Sequence, residues 1–270
     1  MTDESTGPAI VHKPVSIEQI VVASGLVPRR RLRKHQFRVE DIDGARLVER
    51  DSVVLGDGGM VLLIEGVEVL AKHARLPVHA MHKPLGCITS RRNEADASTV
   101  FDIAEQAGVS IIGEPIGRLD KDTTGVLLFA FDGDLLHRLT HPKRAVPRVY
   151  VATLDEPIDD EALELLRQAK VVLDDGHVPK PTSVERLDDG KRVRVTLTEG
   201  KYHEVRRMFA ALGRQVVGLL RESYGPISLG DRLRRPGVVR ELNESQLEAL
   251  YASVGLALPP FELLVLPTGG

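Results

Sequence analysis

Apolar residues Ile17, Ile20 and Val21 recur at helical spacing and stop at Ser24-Gly25, which predicts a short helix ending on a glycine. Beyond it, LVERDSVVL and MVLLIEG flank Gly56-Asp57-Gly58-Gly59 and predict a small hairpin that turns there. VHAMHKPLGCITS then offers a short strand broken by Lys83-Pro84 and Gly86, the punctuation of a loop near a site. VLLFAF (126–131) is a continuous apolar run suited to a buried central strand. RVRVTLT (192–198) alternates Val193, Val195 and Leu197 with polar residues, so that strand has a wet face. Asp159-Asp160 can cap a helix over EALELLRQA. HEVRRMFAAL places Val205, Met208, Phe209 and Leu212 on one helical face before Gly213. The pattern as a whole predicts an α/β or α+β protein with a mixed sheet and no solenoid repeat.

Composition narrows the class. At 270 residues the chain has room for one large domain or two unequal ones. Lys and Arg total 36 against 39 Asp and Glu, so no global field announces a polyanionic partner, and any basic surface is local. Such segregation exists: Arg29 to Arg38 holds six Lys or Arg and no acid, although residues 1–80 carry 11 bases and 11 acids. The single cysteine, Cys87, excludes an internal disulfide and a Cys-rich metal framework and suggests a reducing compartment. The N-terminus lacks a secretion signal, and no apolar run approaches the roughly 20 residues that span a bilayer. A soluble cytoplasmic protein is the expectation.

Three segments could carry chemistry. In GRLDKDTTGVLLFAF, Asp120 sits between Gly117 and Gly125 just before the buried strand, where a carboxylate is placed to act. The plainer reading is that Asp120 and Asp122 only turn the chain through side-chain to backbone bonds. HRLTHPKRAVPRVY holds four bases and no acid, and ends with Arg148 and Tyr150 on the same side of a predicted strand. In EGKYHEVRRMFAALG, Arg206 and Arg207 lie outside the apolar stripe, free for ligands or simply solvated. Bases beside glycine turns, in a chain with few aromatics, favour phosphate-backbone contact over an apolar small-molecule pocket.

HKPLGCITS, GRLDKDTTGVLLFAFDG, LTHPKRAVPRVY and LTEGKYHEVRRMFAALG, in this order, closely resemble the ribosomal small subunit pseudouridine synthase A family over residues 78–254. The resemblance implies an α+β catalytic domain on a mixed, largely antiparallel sheet. It also implies an RNA-binding module like that of ribosomal protein S4 over 16–75, with a flexible tail over 1–15 and a loose C-terminal tail over 255–270. The implied activity is isomerisation of a uridine within ribosomal RNA, 16S before 23S, with no cofactor or metal. Asp120 would be the catalytic aspartate, as nucleophile or as base toward a sugar proton. Arg206 would be the guanidinium that keeps it ionised, and Tyr150 would stack on the target base. RNA contacts would come from Arg29, Arg30, Arg31, Arg33 and Lys34 in the basic block, and from Lys83, Arg118, Lys143, Arg144, Arg148, Lys201 and Arg207. The implied partner is ribosomal RNA or a subunit assembly intermediate, met by a monomer away from any membrane. Two positions depart from the family: Arg148 stands where lysine is usual, and Glu204 where glutamine is usual. If Glu204 faced RNA it would repel phosphate; if it faced solvent the change would be harmless.

Two rivals remain open at this stage. Asp120-Lys121-Asp122-Thr123-Thr124 also fits the D-x-D-x-T pattern of magnesium-dependent haloacid-dehalogenase-type phosphatases, although their motif follows a buried strand and this one precedes it. The other rival is an RNA-binding or ribosome-assembly protein that keeps the scaffold without turnover.

Overall fold

The computed structural model describes residues 14–28, 31, 34, 36–48, 51–53, 55, 59–92, 97–111, 113–187 and 190–268. The chain divides into two compact units, Met1–Leu76 with Pro259–Gly270, and Pro77–Leu258. Among the described residues no helix is long and apolar enough to cross a membrane.

In the smaller unit, strand β1 (Val15–Ser16) leads into helix α1 (Ile17–Ser24). Ser16 and Gln19 form a reciprocal capping box, and Gly25 closes the helix at φ 66°, a left-handed conformation that costs glycine little. Strands β2 (Val39–Asp41), β3 (Arg46–Leu47), β4 (Ser52–Val53), β5 (Met60–Ile64) and β6 (Val67–Ala74) follow. The two strands expected to form the hairpin, β4 and β5, pair with other partners. β4 pairs with β1, and β5 turns into β6 through Glu65 and Gly66, at φ 53° and 80°. Positive φ at both central residues matches the twist of the flanking strands, which is why this pair makes the turn. Residues 56–58, and Arg29, Arg30 and Arg33 of the basic block, lie outside the described residues.

Two expectations about the chain ends are corrected. Val15, assigned to a tail, is buried and pairs with Val53. The C-terminal segment is a strand, Glu262–Pro267, paired antiparallel with β6 at the edge of a five-stranded sheet. The apolar run after Pro259-Pro260 satisfies its backbone groups on the edge of β6.

The larger unit is built on a nine-stranded sheet. In chain order its elements are β7 (His79–Lys83), α2 (Val100–Gln106), β8 (Glu114–Pro115), β9 (Thr123–Ala130), α3 (Gly133–Thr140), β10 (Arg148–Leu154) and α4 (Asp160–Arg167). Then come β11 (Ser183–Leu187), β12 (Arg192–Leu197), α5 (Glu204–Ala211), β13 (Val216–Tyr224), β14 (Ile227–Ser228), β15 (Val239–Glu241) and α6 (Glu244–Ala252), and the C-terminal strand already described is β16. The strand order is β11-β12-β10-β13-β9-β7-β15, with β14 on β13 and β8 on β9. Every pairing is antiparallel except β13 with β9. The fold is therefore α+β on a mixed, largely antiparallel sheet.

The sequence pattern follows from which faces are covered. β9 sends Leu127 and Phe129 to one core and Val126, Leu128 and Ala130 to the other, so it reads as an uninterrupted apolar run. Each such valine, leucine or phenylalanine side chain, fully buried, contributes roughly 1.5–3 kcal/mol. β12 buries only Val193, Val195 and Leu197 and leaves Arg192, Arg194 and Thr196 outside that core. Gly125 of β9 has φ +114°, and a Cβ there would lie 2.1 Å from the Arg221 carbonyl oxygen of β13. Only glycine lets these two parallel strands approach so closely.

Candidate active site

The loop between β8 and β9 is tied down at successive residues. Leu119 donates its N–H to Thr89 Oγ1 at 3.2 Å, and that hydroxyl donates back to the Leu119 carbonyl at 2.9 Å. Gly86 N–H reaches the Lys121 carbonyl at 2.8 Å, and Thr123 N–H reaches that of Asp120 at 3.1 Å. The backbone of Asp120 is thus fixed while its side chain, 38% exposed, lines a cavity of about 840 Å³. Thr89 is a positioning residue that the sequence reading missed, since nothing in its local pattern marks a buried threonine as a clamp.

β10 and β13 supply the interior of this cavity. Tyr150 is buried and lies directly across from Arg221 in the register, while Arg148 lies across from Tyr224. The register shifts between Val149 and Tyr150, so that Tyr150, which packs in one core, and Tyr224, which packs in the other, both reach the cavity with Arg148 and Arg221. Tyr224 donates its hydroxyl to the Leu139 carbonyl at 2.7 Å and accepts from Arg148 Nη2 at 3.0 Å. The guanidinium carbons of Arg148 and Arg221 lie 4.8 and 5.1 Å from the Tyr224 ring centroid.

Arg221 is 2% exposed; Nε donates to the Val126 carbonyl at 2.7 Å, and Nη2 has no hydrogen-bond partner among the described residues. A buried cation with an unmet donor on a cavity wall is costly unless an anionic or carbonyl ligand completes it. Arg206 sits beside the Asp120 loop through Asp122, and its buried Nε likewise has no hydrogen-bond partner among the described residues. Arg206 donates to Asp122 Oδ2 at 2.8 Å, to the Asp122 carbonyl at 3.1 Å and to the Val216 carbonyl at 2.9 Å. Arg221 is the buried guanidinium on the cavity that Asp120 lines. Its sequence signal was a lone arginine among apolar neighbours within Val216–Tyr224.

Several expected RNA contacts also differ. Lys83 is fully buried and donates to the carbonyls of Thr123 at 2.9 Å and Pro84 at 3.1 Å. Burial holds its ammonium pKa below the ordinary lysine value, while Cys87, Asp120 and Asp122 pull it back up. Arg148 is buried against Tyr224 and does not face solvent. Arg207 is gripped by Asp174 and Asp175, and its guanidinium holds the Asp175 carboxyl down to about 2. The helical pattern left Arg206 and Arg207 free, but the acids that claim them come from distant loops. Arg118 and Lys201 are exposed on the cavity, and Lys143 and Arg144 are exposed on a short 3-10 turn, Pro142–Arg144, beside it. In the smaller unit Lys34 is exposed and Arg31 pairs with Glu65 at 2.9 Å.

Glu204 does not face bulk solvent, although it contributes to the cavity lining. It is 4% exposed and accepts from His177 Nε2 at 3.1 Å and from Lys201 N–H at 3.1 Å. Burial pushes its carboxyl above the ordinary value despite these donors. His177, Glu199 and Glu204 could hold a metal ion by spacing alone, their donor atoms lying within 4.8 Å of one another. Lys201 Nζ, however, lies 2.9 Å from His177 Nδ1 and donates to it, so the remaining ring N–H points at the carboxylates. The cluster reads as a closed hydrogen-bond network. At the mouth, His203 Nε2 lies 3.5 Å from Asp120 Oδ1, and the Tyr202 ring stacks on His203.

A fixed carboxylate, a buried aromatic and a buried guanidinium in one cavity suit attack on, or proton removal from, a flat polar substrate. The phosphatase alternative fails on geometry, since Asp120 precedes β9 instead of following a buried strand. Residues 77–211 match the family described as RNA pseudouridylate synthase. The chain is 36% identical over 170 residues to the ribosomal small subunit pseudouridine synthase A of Haemophilus influenzae, covering 63% of this chain and 72% of that one. A protein of Mycobacterium tuberculosis described as an uncharacterised RNA pseudouridine synthase is 33% identical over 255 residues, covering 90% and 95%. A crystal structure of a pseudouridylate synthase superimposes with a TM-score of 0.58 at 30% identity, over 87% of this chain and 99% of that one.

Proposed function

The chain belongs to the RNA pseudouridylate synthase family, whose members are isomerases, and from that premise we propose that it converts a uridine of ribosomal RNA to pseudouridine, with 16S RNA as the target. The observation that carries the reading is the Asp120 carboxylate on the cavity that Tyr150 and the buried Arg221 share. Similarity to small subunit pseudouridine synthase A supports the 16S assignment, and 23S RNA is the second choice.

Isomerisation breaks the bond from N1 to the ribose anomeric carbon, rotates the base, joins C5 to that carbon and releases the C5 proton, while the freed N1 takes up a proton. Asp120 acts without cofactor or metal, either adding to the anomeric carbon or taking a sugar proton; both need an ionised carboxylate at the sugar. Tyr150 packs against the base. Arg221 supplies charge where the detached uracil becomes electron-rich, in a desolvated site where such a donor is worth most. Extruding a stacked or paired uridine costs a few kcal/mol, which contacts to flanking phosphates offset. Arg118, Lys143, Arg144 and Lys201 make those contacts. Residues 16–75 act as an S4-like RNA-binding module, with Arg31 and Lys34 on it. The partner is ribosomal RNA or a subunit assembly intermediate, and the protein works as a cytoplasmic monomer.

The test is incubation of purified protein with ribosomal RNA labelled with tritium at uridine C5, with no cofactor added. Tritium release is the expected result, and binding without release would favour an assembly protein. Mapping modified sites in RNA from a strain lacking the protein assigns the subunit; loss of a 23S site instead would overturn the 16S target.

A further inference from the structure

We infer that Tyr202, backed by His203, is a stacking platform for a nucleobase beside the target uridine, a subsite for single-stranded RNA at the cavity mouth. The inference rests on the RNA-modifying reading and adds a specific contact to it. The chain has four tyrosines, and Tyr150, Tyr224 and Tyr251 are buried. Tyr202 is 76% exposed although it lines the cavity that holds Asp120. One ring face is occupied: the His203 ring lies 3.8 Å away at 17° between planes. A flat ring with one face backed and the rest largely in water is costly to leave bare and ready to take a second flat ring.

The platform is held in place before any ligand arrives. His203 carries φ +50°, a left-handed conformation that strains a non-glycine residue, at the start of α5 and with no side-chain cap bond. That turn aims its ring at Asp120, 3.5 Å away, and sets Tyr202 outside it. The buried Glu204 holds the N–H of Lys201, and Arg207, itself gripped by Asp174 and Asp175, donates to the Tyr202 carbonyl at 3.4 Å. Little ordering remains to be done on binding. Arg118, Lys121 and Lys201 are exposed cations on the same cavity. A base on Tyr202 thus has cations within reach of its phosphates, the combination that recognises single strands.

Two probes of equal charge separate stacking from phosphate contact: a fluorescein-labelled oligouridylate of about ten nucleotides and an abasic ribose-phosphate oligomer of the same length. Tyr202→Ala should weaken oligouridylate binding about tenfold or more, the loss expected for one base–aromatic stack. It should leave abasic-oligomer binding unchanged, and Tyr202→Phe should bind both probes like the parent. Equal oligouridylate affinity in Tyr202→Ala, or equal losses on both probes, overturns the platform. The readout is binding alone, so a protein that stacks bases yet releases no tritium would sink the catalytic reading and keep this one. A protein that releases tritium with no base-dependent loss would do the reverse.

Discussion

Tyr150 and Arg221 are register partners across β10 and β13, and both line the cavity that receives the Asp120 side chain. Three residues scattered over a hundred positions of chain thereby share one pocket, the aromatic and the cation from neighbouring strands and the acid from the loop before the next strand.

Asp120→Asn keeps the shape of the loop, whose bonds run through backbone and Thr89, and removes the charge. Tritium release should fall on the order of 10³-fold or more, with RNA affinity unchanged within a small factor. An amide variant working at parental speed would remove Asp120 from the chemistry.

Arg221→Lys keeps a cation but loses the planar fork and its bond to the Val126 carbonyl, so turnover should drop by about 10²-fold. Arg206→Lys acts only through the position of the Asp122 loop and should cost about tenfold or less. Single-turnover rates, read beside the thermal midpoint of each variant, check the order; the reverse order would make Arg206 the partner of Asp120.

Salt dependence separates surface cations from buried ones. Neutral replacement of Arg118, Lys143, Arg144 or Lys201 should each flatten the slope of log affinity against log salt by about 0.7–0.9. Lys83→Met should leave the slope unchanged, because that ammonium is spent on two carbonyls inside the protein. A flattened slope for Lys83→Met would put it on RNA after all.

Glu204 links the site to pH. Burial raises its carboxyl above the ordinary 4.5, so the folded state binds a proton more tightly than the unfolded chain. The resulting stability is fully present below that ordinary value and is lost as pH rises through the folded one. Glu204→Gln removes this dependence and also one accepted hydrogen bond, about 1 kcal/mol. Urea midpoints from pH 4.5 upward should therefore show the parent's advantage over Glu204→Gln shrinking as pH rises; a constant difference would rule the linkage out.

Much of this was legible in the sequence, for identifiable reasons. The α5 stripe, the caps at Ser24-Gly25 and Asp159, and the two-sided burial of β9 are local patterns, and local patterns survive folding. Asp120 stood out because glycines bracket it ahead of a buried strand. Strand register was not legible: nothing near Arg221 announces that it sits across from Tyr150, whereas Arg206 stands on a conspicuous helix. Residue type also misled. Lys83 and Arg148 read as surface cations, and only the tertiary structure supplies the carbonyls and the tyrosine that let them be buried. The C-terminal strand was hidden behind Pro259-Pro260, since a tail gains structure only when it finds an open sheet edge.

At Gly125 two main chains nearly touch, and the loop bearing the acid and the strand bearing the buried guanidinium depart from that crossing. The closeness of β9 and β13 there is a backbone contact and leaves no room for a side chain at residue 125. Any larger residue at 125 would have to push the acid's loop and the arginine's strand apart at their root.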